Sequence, residues 1–268
     1  EVYSMIKLNG ANRICMTTIL TFCLFFLMAP IAGAAEPIQD NLSASDLIIN
    51  QSLSQNNSSS VTVQDMEKIA TEVAQQKEEA DAKVMNRIIQ EATMDTQPSD
   101  SIMSTYYMTG RDQSHGGSGA GYSDSYWETF LDVNKNGSLA EIYGSKWGRG
   151  WGWIYYTPSE SRTYTIGANY NLTGRIVGGN LNIKLIVTDT SNGSSNEQTC
   201  FSATSGYFDN IPKSSSKSFY LTSGHRYAIT WEANTEASAV ASAAMSDFLN
   251  TELDGTKRNI TFNYFTVN

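Results

Sequence analysis

Residues 162–190 read R-T-Y-T-I-G-A-N-Y-N-L-T-G-R-I-V-G-G-N-L-N-I-K-L-I-V-T-D-T. Tyr164, Ile166, Ala168, Tyr170 and Leu172 alternate with Thr163, Thr165, Gly167, Asn169 and Asn171. Beyond Gly178-Gly179 the alternation resumes, with Leu181, Ile183, Leu185 and Val187 set against Asn182, Lys184, Ile186 and Thr188. Successive side chains of a strand point to opposite sides, so a period of two separates an apolar face from a polar one. The pattern predicts two long half-buried strands joined by a glycine turn.

The flanking sequence extends the same theme. Further strands are expected at 198–203, 217–222, 226–237 and 259–267, with turns at 191–196, 212–216 and 223–224. Residues 238–248 fit a strand or a short helix. Upstream, 125–133 and 138–143 flank Asn134-Lys135-Asn136-Gly137, and Asn-Gly between extended runs is a hairpin signal. Residues 151–157 make another strand. Nine or ten antiparallel strands without interleaved helices predict a mainly β fold, an antiparallel β-sandwich of jelly-roll-like type, over 123–268. Residues 102–109 suit a first strand. The five glycines of 110–121 predict a loop or hinge, so 96–122 reads as a strand and Gly-rich linker.

Residues 62–95 carry a different period. Met66, Ile69, Ala70, Val73, Ala80, Val84, Ile88 and Ala92 recur at steps of three and four, or multiples of them, which predicts one long amphipathic α-helix. Thr62 and Asp65 resemble a capping box with Asp in place of Glu or Gln. A helix of ~50 Å needs its stripe buried to be stable. Two partners fit: the β domain of its own chain, or self-association through the 62–94 helix. The alanines and Gln76 make a poor coiled-coil seam.

The first 34 residues read as a secretory signal peptide. Lys7 and Arg13 precede an apolar run, and Ala32-Gly33-Ala34 supplies a small-x-small cleavage site. Residues 35–61, rich in Asn, Ser and Gln, form a flexible polar segment. The expected protein is therefore secreted, extracellular or on the cell surface. Cys15 and Cys23 fall in the signal, which leaves Cys200 with no partner for an intrachain disulfide. The net charge of −9 disfavours nucleic acid as a partner. The N-x-S/T patterns include Asn171, Asn192 and Asn259, which an exported chain can present for glycosylation.

Three clusters are candidates for chemistry. The first is Lys146–Tyr156, K-W-G-R-G-W-G-W-I-Y-Y. In a strand Trp147, Trp151, Trp153 and Tyr155 share one face. That face either fills the sandwich core or forms a platform on which sugar rings stack. The second is Asp132-Val-Asn134-Lys-Asn136-Gly137, which matches the first half of a calcium loop. Its twelfth position is Tyr143 where a bidentate acid belongs, so a plain hairpin turn fits better, with Ca²⁺ on Asp132, Asn134 and Asn136 as the alternative. The third is the acid-rich surface. With two histidines, His115 and His225, and no G-x-S-x-G or H-E-x-x-H pattern, no nucleophile–base pair can be assembled. No catalytic residue or organic cofactor is assigned. The reading is a non-catalytic binding or structural protein of the cell exterior, with an extracellular glycan or protein as partner. A carbohydrate-binding module is the alternative, and a glycoside-active hydrolase the third reading.

Overall fold

The computed structural model describes residues 62–94, 104–128, 132–141, 143–240, 242–249 and 258–268. The expected signal segment 1–34 and polar segment 35–61 lie outside the described residues. Among the described residues one helix, α1 (Val63–Met94), precedes ten strands: β1 (Ser104–Tyr106), β2 (Gly110–Ser118), β3 (Gly121–Glu128), β4 (Val133–Ala140), β5 (Gly144–Tyr156), β6 (Arg162–Asp189), β7 (Ser195–Leu221), β8 (Tyr227–Ala239), β9 (Ala244–Phe248) and β10 (Asn259–Val267). All pairings are antiparallel. The fold is an antiparallel β-sandwich preceded by one helix. No helix among the described residues is long and apolar enough to cross a membrane.

The expected alternation is present, but the glycines do not turn the chain. Strand β6 runs through Gly178-Gly179 as one 28-residue element. Gly178 takes a positive φ of 67°, and the pairing shifts between Val177 and Leu181, so the glycines bend the strand without reversing it. Before the bend β6 pairs β10 and the end of β7. After it β6 pairs β8 and the start of β7. One layer is thus β1, β10 and the first halves of the β6–β7 hairpin as seen from its open end. The other is β2, β5, β8 and the second half of that hairpin. The predicted turn at 212–216 lies inside β7, because those residues pair with 167–171 of β6.

Tyr164, Ile166, Ala168, Tyr170, Leu172, Leu181, Ile183, Leu185 and Val187 all enter one core. The two layers meet through Trp231 of β8. Its ring centroid lies 5.8 Å from that of Tyr170 and 5.4 Å from that of Phe262. Burial on this scale contributes roughly 25 cal/mol per Å², and the one cysteine among the described residues, Cys200, is free.

Two further expectations need correction. The glycines of 110–118 form strand β2, paired with Ser145–Trp153 of β5. A Cβ at Gly110 would overlap the Trp153 ring, and one at Gly116 would crowd Trp147. The glycines make room for indoles. The Asn-Gly hairpin is also displaced. Asn134–Gly137 lie within β4, paired with Asp124–Trp127 of β3. The reversal falls just before it, where Asp132 adopts a φ of 49°.

The Thr62–Asp65 cap is formed reciprocally. Thr62 N–H and Oγ1–H both donate to Asp65 Oδ2, at 2.9 and 2.7 Å, and Asp65 N–H donates to Thr62 Oγ1 at 3.2 Å. The helix buries its stripe on its own chain. Val73, Ala80, Val84 and Ile88 pack against Trp147, Trp151, Trp153 and Ala228. Self-association through the 62–94 helix would have to displace that contact. Gln76, a poor seam residue, has a specific use. Its Oε1 accepts from Gly117 N–H at 2.8 Å and its Nε2 donates to Gly117 O at 3.4 Å, so the amide pairs with the main chain of β2.

Candidate functional site

The aromatic cluster is built by β5. Odd-numbered residues from Trp147 to Tyr155 share one side, and that side faces α1, not the sandwich core. Trp147, Trp151 and Trp153 are 1, 3 and 0% exposed. The sugar platform expected of Trp147, Trp151, Trp153 and Tyr155 is therefore covered, and the core-filling alternative is corrected too. The other side of β5 consists of Gly148, Gly150 and Gly152, followed by Ile154 and Tyr156. There a Cβ would overlap Asn136, Asn134 and Met108 respectively, so Gly148 and Gly150 admit a polar layer from β4 and Gly152 admits the Met108 side chain.

Polar groups fix the helix along this face. Lys77 Nζ lies 2.7 Å from Glu236 Oε1, and Arg87 Nη1 lies 3.2 Å from Asp112 Oδ2. Asp81 pairs with Arg149. Ser118 Oγ–H donates to Glu72 at 2.6 Å, and Tyr155 OH donates to Ile88 O at 2.8 Å. Glu232 is buried beside them and accepts from Trp151 Nε1–H at 2.8 Å. Burial pushes its carboxyl above the ordinary value, and nearby Arg149 opposes that rise only in part. Burial also raises Glu236, but Lys77 and Asn234 outweigh it and hold that carboxyl below the ordinary value. The two acids are four residues apart on one strand, about 13 Å along it.

The calcium reading of Asp132, Asn134 and Asn136 is corrected. Asn134 and Asn136 are fully buried strand residues. Asn136 Nδ2–H donates to Ala233 O at 2.9 Å, and its Oδ1 accepts from Thr235 Oγ1–H at 2.9 Å. Asp132 pairs with Arg111. A loop wraps successive oxygens around an ion, whereas a strand spaces alternate residues about 7 Å apart. Among the described residues no group of three or more His, Cys, Asp or Glu side chains converges as a metal site. His225 Nδ1 lies 2.7 Å from Asp189 Oδ2, and Asp189 also accepts from Ser191 Oγ–H and N–H. Asp189 is held below its ordinary pKa because these bonds outweigh the effect of burial. The cluster anchors the turn between β6 and β7. Cys200 is half-buried, and burial pushes its thiol up.

The opposite side of the molecule carries a feature that residue motifs did not mark. On the outer face of the β10–β6–β7 layer, rows run across the strands: Thr165 beside Ser218; Thr266, Gly167 and Ser216; Tyr264, Asn169 and Ser214; Thr261, Asn171 and Pro212. Thr163 and Tyr220 close one end, and Asn259 and Thr173 the other. Each of these side chains is a hydroxyl, amide, phenol or apolar group without charge. They are exposed or half-buried, save Gly167. Asn263, in a bulge of β10, donates through Nδ2–H to Asn169 Oδ1 at 2.5 Å and to Asn171 Oδ1 at 2.9 Å. Asn171 Nδ2–H then donates to Asn210 Oδ1 at 2.8 Å. The amides form a fixed chain across three strands. Half of this face was legible as the polar side of the 163–171 alternation. Asn263 and Asn210 join it only through strand register. Of the three glycosylation candidates, Asn171 and Asn259 lie on this face, and Asn192 lies in the exposed turn after β6.

No family model matches the chain, and no curated protein matches it. Among solved structures, it is similar to a family 35 carbohydrate binding module from Clostridium thermocellum, at 11% identity and a TM-score of 0.30, over 62% of this chain and 98% of that one. It is similar also to an Arthrobacter globiformis isomalto-dextranase complexed with panose, at 9% identity and a TM-score of 0.29, over 54% of this chain and 23% of that one. A third is a Clostridium thermocellum endo-1,4-β-D-xylanase fragment complexed with xylohexaose, at 10% identity and a TM-score of 0.25, over 60% of this chain and 28% of that one. The chain thus spans about a quarter of the length of the two enzymes. Likenesses this small carry nothing about a ligand of this chain.

Proposed function

We propose that the chain is an exported, non-catalytic binding protein of the cell exterior, and that its ligand is a neutral glycan held on the open β10–β6–β7 face. One observation carries this reading: a broad exposed face with no charged side chain, whose central amides are already aligned by hydrogen bonds. Aligned amides and hydroxyls offer donors and acceptors in alternation, which complements a chain of sugar hydroxyls. Pre-ordering lowers the entropic cost of binding. A protein partner fits less well, because the cores of such interfaces are enriched in aromatic residues and Arg, and this face offers only Tyr220 and Tyr264. The commitment of Glu232 to Trp151 and of Glu236 to Lys77 supports a non-catalytic role.

Affinity electrophoresis through gels containing a soluble neutral β-glucan, xylan or α-glucan tests the reading. At least one should retard the protein, and Asn263→Ala should reduce that retardation about tenfold or more. No retardation by any neutral polysaccharide, or retardation that Asn263→Ala leaves intact, removes the proposal. Export is tested separately. N-terminal sequencing of protein recovered outside the producing cell should begin near Ala35, and a start at Met5 counts against a cleaved signal.

A further inference from the structure

Helix α1 covers a face that retains unmet hydrogen-bonding capacity. Next to the three tryptophans of β5, strand β8 presents Thr230, Glu232, Asn234 and Glu236 on the same side, since the alternate residues Trp231 and Ala233 enter the core. Asn234 is 6% exposed and its Oδ1 has no protein partner; Thr230 is 2% exposed and its Oγ1 has none. Asn182 Oδ1, directly across from Asn234 on β6, is also buried without a protein partner. Buried polar groups are nearly always paired, and exceptions call for a functional account. The helix contributes Val73, Ala80, Val84 and Ile88 here, against three indoles. Two of its ion pairs, Arg87–Asp112 and Asp81–Arg149, have one solvent-exposed partner, which salt and water weaken. Segments attached in this way open before a continuous sandwich core does.

We infer that α1 is a removable cover, and that the face beneath it is a second binding site for a neutral sugar chain. With the helix displaced, Trp151 and Trp153 present ring faces for stacking. Glu232, Asn234, Thr230 and Asn182 lie alongside as acceptors for sugar hydroxyls. This site is on the opposite side of the molecule from the open face and does not depend on it.

The test uses the full chain. Lys77→Glu with Ala80→Asp sets a carboxylate against Glu236 and places another on the buried stripe. The pair should leave the β-sheet circular dichroism in place and raise acrylamide quenching of tryptophan. In an Asn263→Ala background it should bind a soluble β-glucan, xylan or α-glucan at least tenfold more tightly than Asn263→Ala alone. Raised quenching without added binding overturns the inference. If the double substitution unfolds the protein or leaves quenching unchanged, hydrogen exchange of the unmodified chain decides. The amides of α1 should exchange faster than those of β6, and faster still with the polysaccharide present. Exchange of α1 no faster than β6, or unaffected by any of the three polysaccharides, overturns it. Loss of binding at the open face through Asn263→Ala alone leaves this result unaffected, so the two readings fail separately.

Discussion

The two outer faces of the sandwich begin from the same material, long alternating strands, and end as opposites. Behind β5 and β8 the outward side chains are tryptophans and ionisable groups, and a helix covers them. Behind β6, β7 and β10, on the other layer, they are chiefly Thr, Ser and Asn, and the face remains open. Indoles gain free energy when taken out of water, so a face that carries three of them favours a cover, whether a helix or a bound ligand. Hydroxyls and amides are well solvated, so their face needs none. The side-chain chemistry of one register position in two thus decides which face gains a third layer.

The largest test of this contrast is stability. Trp153→Ala, under the helix, should cost about 3–5 kcal/mol by urea unfolding. Thr165→Ala, on the open face, should change stability by no more than about 0.5 kcal/mol. Similar losses at both sites would erase the distinction. Next comes the inner side of β5. Gly150→Ala forces a Cβ into Asn134 and should cost about 1–3 kcal/mol; a neutral outcome would mean that β4 does not approach β5 closely.

A smaller effect concerns pH and sharpens the account of the covered face. Glu232 is raised above its ordinary value, so folding favours its protonated form. Arg149, Asp81 and Lys184 are the charged groups that act on it, and Trp151 donates to it. Its contribution should increase as pH falls from neutrality toward the ordinary carboxylate value. Glu236 is lowered, so its contribution is present above the ordinary value and is lost on further acidification. The thermal midpoint of the wild type should reflect both. Glu232→Gln should remove the gain on mild acidification while keeping an acceptor for Trp151; an unchanged pH profile would show that Glu232 does not titrate with folding. The smallest effect is local. Thr62→Ala removes the reciprocal cap and should cost about 1 kcal/mol of helix stability, read as faster exchange in the first turn of α1.

The sequence made some of this plain and hid the rest for identifiable reasons. The strand alternation at Tyr164–Val187, the stripe of α1 and its Thr62–Asp65 cap all express local periods or local bonds, and each was legible. The glycines of 110–118 were not legible as a strand. Their backbone preference argues for a loop, and only the neighbouring indoles of Trp147 and Trp153 make their missing side chains useful. Asn134 and Asn136 suggested a turn or a metal because what they meet is set by strand register: Asn134 donates to Tyr126 O on β3, and the partners of Asn136, Ala233 and Thr235, lie about a hundred residues away. The period of two placed Trp147, Trp151 and Trp153 on one face, but it cannot say what covers that face. Likewise Asn169 and Asn171 were visible as polar positions, while Asn263 and Asn210 reach them only once β10 and β7 are in register.

The unbroken passage of β6 from one layer into the other has a mechanical consequence. Two layers joined only by loops can slide or peel apart in turn. Here a single backbone belongs to both, so loosening either layer tugs on the hydrogen-bond ladder of its mate. A protein working against drag at a surface would yield as a whole or hold as a whole.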